Sequence, residues 1–245
     1  MKQIYITLVI LFLGYSLYGE IPSRVSDFKN AVYGQTTSIT EAEQLFLEAD
    51  NQARNTLSGS DLYTMLPRCE YLMGRVYQDN NLQKEASVHY EKGISWAERS
   101  LENTSNSEAY EMIASLIGQL CMIKSTPWVM ANGLKVEENA KKALQIDNLN
   151  AGALYLLASR WAFGPGIFGN PKRGITELEA ILNSPAILQT DDYFNVYSAL
   201  GYANLRLNRH EEALSWTQRA LALYPTNKFA LDLESQIKHK HGEIK

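Results

Sequence analysis

The sequence predicts an all-α chain in which antiparallel helix hairpins stack as a right-handed superhelix. Two observations carry that reading. From about residue 40 to residue 240, apolar and small residues recur at the helical interval, and almost no room is left for strands. The helical runs are parted by short stretches rich in Asn, Ser, Thr and Pro, and helices joined so briefly pack antiparallel to their neighbours. With 245 residues, 45% of them hydrophobic, the chain is long and apolar enough to bury one continuous core.

The first run places Ala42, Leu45, Phe46, Ala49, Ala53 and Leu57 on one face, with Thr40 as N-cap and Ser58-Gly59-Ser60 as its stop. The next two, about 61 to 79 and 82 to 102, end at Asn80-Asn81 and at Thr104-Ser105-Asn106. Runs at about 107 to 124 and 132 to 146 flank an insertion, Lys124 to Asn132 (KSTPWVMAN), and the second of them stops at Asn148 to Asn150. Runs at about 151 to 162 and 172 to 183 flank another, Phe163 to Pro171 (FGPGIFGNP). The last three, about 191 to 207, 209 to 223 and 226 to 240, are divided by Asn208 and by Pro225-Thr226-Asn227.

Ahead of this region, Lys2 precedes an apolar run from Ile4 to Leu13 that leads to Gly19, the pattern of a secretory signal over residues 1–19 and too short for a comfortable membrane span. Retention of the segment as an N-terminal anchor is the alternative, and only then is a membrane a partner. Glu20 stands where a lipidated cysteine would be needed. Residues 20–37 hold Pro22 and several Ser and Thr with little periodicity and read as a linker, leaving 38–241 as the helical repeat domain: about four hairpins, a leading helix and a C-terminal capping helix. An exported compartment, the periplasm in a diderm bacterium, permits disulfides. Cys69 and Cys121 are the only pair, and two buried free thiols or one bridge are both open.

Composition narrows the function. The net charge of -4 and the scatter of Lys and Arg among acidic residues argue against nucleic acid as a partner. No motif for catalysis, metal or cofactor is present: the four histidines form no His-Glu-x-x-His, the cysteines no CxxC, and GPGIFG follows no strand. The expected protein is non-enzymatic, with no cofactor.

The hairpins repeat. Leu200-Gly201, Ala213, Ala220 and Pro225 set small residues on two facing helices and a proline at the end of the second, and the segment YSALGYANLRLNRHEEALSWTQRALALYPTN closely resembles the tetratricopeptide repeat. Gly74, Tyr77, Ala86, Tyr90 and Gly93 fit an earlier copy, Gly118 with Ala143-Leu144 another, in which Val136 takes the place of the small residue facing Gly118, and Ala158 facing Gly174 a third. Taking Gly74, Gly118, Ala158 and Gly201 as equivalent gives intervals of 44, 40 and 43, longer than the unit of about 34, so insertions lie within the hairpins. These insertions, together with SLENTSNSEAYEMIA and GLKVEENAKKAL, also resemble a divergent group that includes periplasmic proteins of tripartite (TRAP) transporters and the regulators of microtubule dynamics.

The resemblance implies a concave face lined by the first helix of each hairpin, where function depends on the side chains displayed. The positions expected there are Arg68, Tyr71, Arg75, Met112, Ser115, Gln119, Tyr155, Ser159, Tyr202 and Arg206. Tyrosine and arginine suit binding surfaces, although each is equally ordinary as a solvated surface residue. Trp161, Phe163 and Phe168 in and beside the second insertion either line a ligand cleft or fold back to plug their hairpin. The partner expected is a protein or peptide on the concave face. The alternative is a small hydrophobic ligand or a transporter component, with the chain serving as a small-molecule-binding accessory of a periplasmic transport system.

Overall fold

The structure, a computed structural model, describes residues 21–102 and 104–243; the expected signal segment lies outside them. Within the described residues the chain forms twelve α-helices and no strand. They are α1 (Ser23–Gly34), α2 (Ile39–Thr56), α3 (Gly59–Asp79), α4 (Gln83–Leu101), α5 (Ser107–Ile123), α6 (Thr126–Asn132), α7 (Leu134–Ile146), α8 (Ala151–Phe163), α9 (Pro171–Leu182), α10 (Thr190–Arg206), α11 (His210–Leu223) and α12 (Lys228–Glu243). Four hairpins follow from the packing: α3 with α4, α5 with α7, α8 with α9, and α10 with α11. The first insertion is α6, the second a single 3-10 turn at Gly166–Phe168, and α12 covers the last hairpin. The fold class is the expected one, a tetratricopeptide-type superhelix.

The linker is not there. Residues 23–34 form helix α1, with Val25, Phe28, Val32 and Tyr33 at most 4% exposed. Those positions are three and four apart, which puts them on one helical stripe, while Ser23, Ser26 and Asp27 carry the opposite face. Pro22 and the serines resemble a loop in composition, but Pro22 sits just ahead of the first turn, where a missing N–H is harmless. The cap of α2 also differs from expectation. Ser38, not Thr40, closes it, because Ser38 and Glu41 form a reciprocal capping box in which Glu41 N donates to Ser38 Oγ and Ser38 N donates to Glu41 Oε2.

Small residues set the helix spacings, though not always in the expected pairs. A Cβ added to Gly74 would lie 2.2 Å from the Tyr90 ring, so the fully buried tyrosine occupies the space that glycine leaves. At Gly201 a Cβ would meet Thr217 Oγ1 at 2.5 Å and the Ala213 carbonyl at 3.4 Å, so Thr217 is closer than the expected Ala213. Gly174 closes on the backbone of Ala162 at 2.8 Å, one turn beyond Ala158. Gly118 meets nothing within 4 Å. In that hairpin Ala114, Ala140 and Ala143 make the buried contact, joined by Ala153 of α8, and Gly118 is left facing open space. Cys69 and Cys121 are separate free thiols, and burial pushes the Cys69 thiol up to about 12, where it stays protonated and inert.

The two ends of the array meet through α1. The Tyr33 ring stacks on Tyr224 at 5.4 Å and stands edge-on to Phe194 at 5.8 Å. Asn227 Nδ2 donates to the Tyr33 carbonyl at 2.8 Å, Thr226 Oγ1 donates to the Gly34 carbonyl, and Lys228 N donates to Gln35 Oε1. Lys29 Nζ pairs with Asp191 at 2.6 Å.

Two expectations follow for stability. Gly201→Leu would drive a large side chain into Thr217 and the Ala213 backbone, lowering stability by about 1–3 kcal/mol in thermal or denaturant unfolding; an unchanged melting curve would contradict the packing at the last hairpin. Phe28→Ala removes a fully buried ring from α1 and is expected to cost about 3–5 kcal/mol, whereas a true linker would tolerate it.

Candidate functional site

Closure by α1 turns the concave face into a bounded cleft of about 410 Å3. Its walls come from regularly spaced positions on the inner helices. On α5 they are Glu108, Glu111, Met112, Ser115, Gly118 and Gln119, recurring at intervals of about one turn. On α3 they are Arg68, Tyr71 and Leu72, and on α8 Gly152, Tyr155 and Leu156. Helix α1 supplies Val25, Lys29 and Tyr33; α10 supplies Asp191, Asp192 and Asn195; and the segments before α8 and α10 add Asp147, Leu149, Pro185 and Ile187 at the rim.

Of the residues expected on the concave face, Arg68, Tyr71, Met112, Ser115, Gln119 and Tyr155 line this cleft. Arg75 stands behind them: its guanidinium lies over the Tyr33 ring at 5.6 Å and the Tyr71 ring at 6.0 Å and donates to the Tyr71 hydroxyl at 3.3 Å. Ser159 is buried one turn further along α8 and donates to the Leu156 carbonyl. Tyr202, Arg206, Trp161, Phe163 and Phe168 belong to another surface. Phe163 stacks on Tyr202 at 5.0 Å and stands edge-on to Phe229 at 6.2 Å. Arg206 Nη1 donates to the carbonyls of Ala162 and Gly164, both at 2.7 Å, and so clamps the start of the insertion to α10. Trp161 lies between the guanidinium groups of Arg160 at 4.5 Å and Arg173 at 4.1 Å. The insertion therefore does not border the cleft. Its close turn brings Gly169 against Gly164, where a Cβ would stand 2.0 Å from the Gly164 oxygen, and Trp128 of α6 packs elsewhere, on the α4–α5 cluster.

The cleft is acidic. Glu108, Glu111, Asp147, Asp191 and Asp192 line it against Lys29 and Arg68, five carboxylates to two cations. Arg68 Nη2 approaches Glu108 at 3.4 Å and Glu111 at 3.9 Å. Burial alone would pull the Arg68 guanidinium down, but the carboxylates of Glu108, Glu111, Asp191 and Asp192 raise it above its ordinary value and keep it charged. Glu111 is 8% exposed, and burial raises its carboxyl against the pull of Arg68 and of the Ser115 hydroxyl, which donates to Oε1 at 2.7 Å. Burial and then the Asp191 charge raise Asp192. Tyr33 and Tyr155 are pushed up by burial and remain neutral hydroxyls.

Four of these charged residues lay within reach of the sequence pattern. Extending the stripe Met112, Ser115, Gln119 one turn toward the N-terminus reaches Glu108 and Glu111, and Asp191 and Asp192 open α10 as first-turn acids do. Lys29 and Tyr33 were hidden by the linker reading. No group of three or more His, Cys, Asp or Glu among the described residues is placed to hold a metal ion.

Stacked hairpins, matched small residues and a lined concave face define a tetratricopeptide-type repeat protein, and the tetratricopeptide family model matches residues 194–227, from within α10 through α11 to the turn after it. A second model, described as regulator of microtubule dynamics protein 1–3, matches residues 26–165, more than half the chain and beginning inside α1. The chain belongs to that family. Among solved structures it is similar to YrrB, described as a tetratricopeptide protein with an unusual peptide-binding site, at 13% identity over 88% of this chain and 92% of that one, with a TM-score of 0.38. No curated protein matches the chain.

The raised Glu111 carboxyl has a consequence for stability. Its folded value lies above the ordinary 4.5, so the ionised form opposes folding once the pH exceeds that value, and the penalty vanishes below it, where folded and unfolded forms are both protonated. Glu111→Gln, neutral and able to accept from Ser115, is therefore expected to raise the melting temperature at pH 7 and to leave it unchanged near pH 4. An equal effect at both pH values would contradict the assignment.

Proposed function

We propose that the protein is an exported, non-catalytic binding protein that holds a short segment of a partner chain in the cleft closed by α1. The observation that carries the reading is the cleft itself: tyrosines from three helices, Arg68 and an apolar rim converge on one bounded space, an arrangement suited to recognition by contact and hydrogen bonding. Catalysis would call for a nucleophile or an acid–base pair set for a reaction; the acids here are engaged with Arg68, Lys29, Ser115 and helix caps. Export rests on the apolar run from Ile4 to Leu13 and the small residue at Gly19.

A second reading, a small-molecule-binding accessory of a transport system, is favoured by one feature. The cleft is bounded at about 410 Å3, within the roughly 300–1,000 Å3 of small-ligand sites. It lacks the aromatic lining from Trp161, Phe163 and Phe168 that the sequence offered for such a cavity.

Gly118 gives a direct test, because it faces the cleft with no neighbour within 4 Å and sits in a helix, where glycine is a poor former. Gly118→Phe is expected to fill the cleft without lowering the melting temperature. The wild-type protein should retain a subset of a library of terminally blocked pentapeptides, and the variant none of them. Retention of the same peptides by the variant would remove the cleft as the site; a stoichiometric small molecule extracted from wild type but not from the variant would favour the second reading.

A further inference from the structure

The two cations of the cleft are already engaged. Lys29 Nζ contacts Asp191 at 2.6 Å and Gln189 Oε1 at 2.7 Å, and Arg68 leans toward Glu108. Glu111 keeps only the long ion pair with Arg68, and Asp192 has none among the described residues. Glu111 is more than nine-tenths buried, yet among the described residues only its Oε1 accepts a hydrogen bond, from Ser115; Oε2 has no donor, and Arg68 stands 3.9 Å away. Room for this carboxylate is made by the first turn of α8, where a side chain at Gly152 would stand 2.8 Å from the Glu111 carboxyl carbon. Asp192 has no ion pair among the described residues, and one of its oxygens is taken by the Gln189 N–H at 2.9 Å. Both carboxylates line the cleft, and Asp192 is among the charges that raise Glu111.

A buried carboxylate whose one ion pair is long is costly unless a nearer cation joins it, and five carboxylates share two cations in this cleft. The surrounding wall supplies what a cationic side chain needs besides charge. Met112, Tyr71, Tyr155 and Leu156 offer apolar and aromatic surface along which an aliphatic stem can lie while its charged head reaches inward. We propose that the cleft selects peptide segments bearing an arginine or lysine side chain, whose guanidinium or ammonium group is received between Glu111 and Asp192. The inference rests on the peptide reading of the same cleft and adds the chemistry that the cleft chooses.

The test is calorimetric titration of the protein with two blocked pentapeptide libraries identical except at the central residue, arginine in one and citrulline in the other. Citrulline keeps the length and near-planar shape of the side chain, puts a carbonyl oxygen in place of one amino group and removes the charge. The arginine library is expected to bind at least about tenfold more tightly. Glu111→Gln should cut the preference for arginine over citrulline at least severalfold, and its undiminished melting temperature separates loss of the carboxylate from loss of the fold. Asp192→Asn, which keeps an acceptor for the Gln189 N–H, should weaken the arginine library in the same way. Equal affinity of wild type for the two libraries would overturn the selection of a cation and leave the peptide reading standing. Binding of neither would overturn the peptide reading, and this inference with it.

Discussion

The packing of Tyr33 between Phe194 and Tyr224 joins residues that are far apart in the chain, and the shape of the whole concave face depends on it. A stack of hairpins has two free ends and an open trough between them. Here the trough becomes a cleft because α1 lies against its own neighbours α2 and α3 and also reaches the turn between α11 and α12. The polar contacts around the ring fix the seat. Asn227 takes the Tyr33 carbonyl with its side-chain amide and caps α12 with its side-chain oxygen, which accepts from Ala230 N at 3.2 Å. A buried asparagine with both ends engaged fixes the register between two helices far more narrowly than apolar contact does.

The interior of the cleft sets stability against function. Repeat packing is satisfied by alanines and glycines elsewhere, and nothing in that packing calls for Glu111 to be buried or for Asp192 to be half-buried beside it. Both carboxyls are held above their ordinary values chiefly by desolvation, so each is a group the fold would prefer neutral. Groups that oppose folding and converge on a cavity are where binding sites are to be sought. Gly118 and Gly201 make the same point from the packing side. Both come near the end of the first helix of a hairpin, but Gly118 shares the stripe of Ser115 and Gln119 and so opens on the cleft, with no neighbour within 4 Å.

Much of the architecture was legible in the sequence because helices and their stops depend on local spacing: the period of apolar residues, the breakers at Asn80-Asn81 or Asn208, and the small residues of the last hairpin. Pairings that depend on how far one helix slides along another were less accessible. Gly174 closes on Ala162 rather than Ala158, and Thr217 rather than Ala213 fills the space at Gly201, each a shift of about one turn that leaves the periodicity unchanged. The largest error, the linker over residues 20–37, came from weighing Pro22 and the serines above the three-and-four spacing of Val25, Phe28 and Val32. Six residues of the cleft followed from the repeat register, namely Arg68, Tyr71, Met112, Ser115, Gln119 and Tyr155. For the aromatics of the second insertion the sequence left both a cleft lining and a fold-back open, because no sequence rule reveals that Arg206 fastens that loop to α10.

The clasp also imposes an order on how the molecule comes into being. Tyr33 and Asn227 are 194 residues apart, so the helix synthesised first waits for the turn made nearly last. Hairpins built from neighbouring segments close early, since short loops cost little entropy, and the long-range seat closes afterwards. Throughout that interval the inner surface, with its buried acids and tyrosines, is a trough open along its length. The cleft is therefore complete only once nearly the whole chain has been made, so its inner surface takes its final form at the end of synthesis.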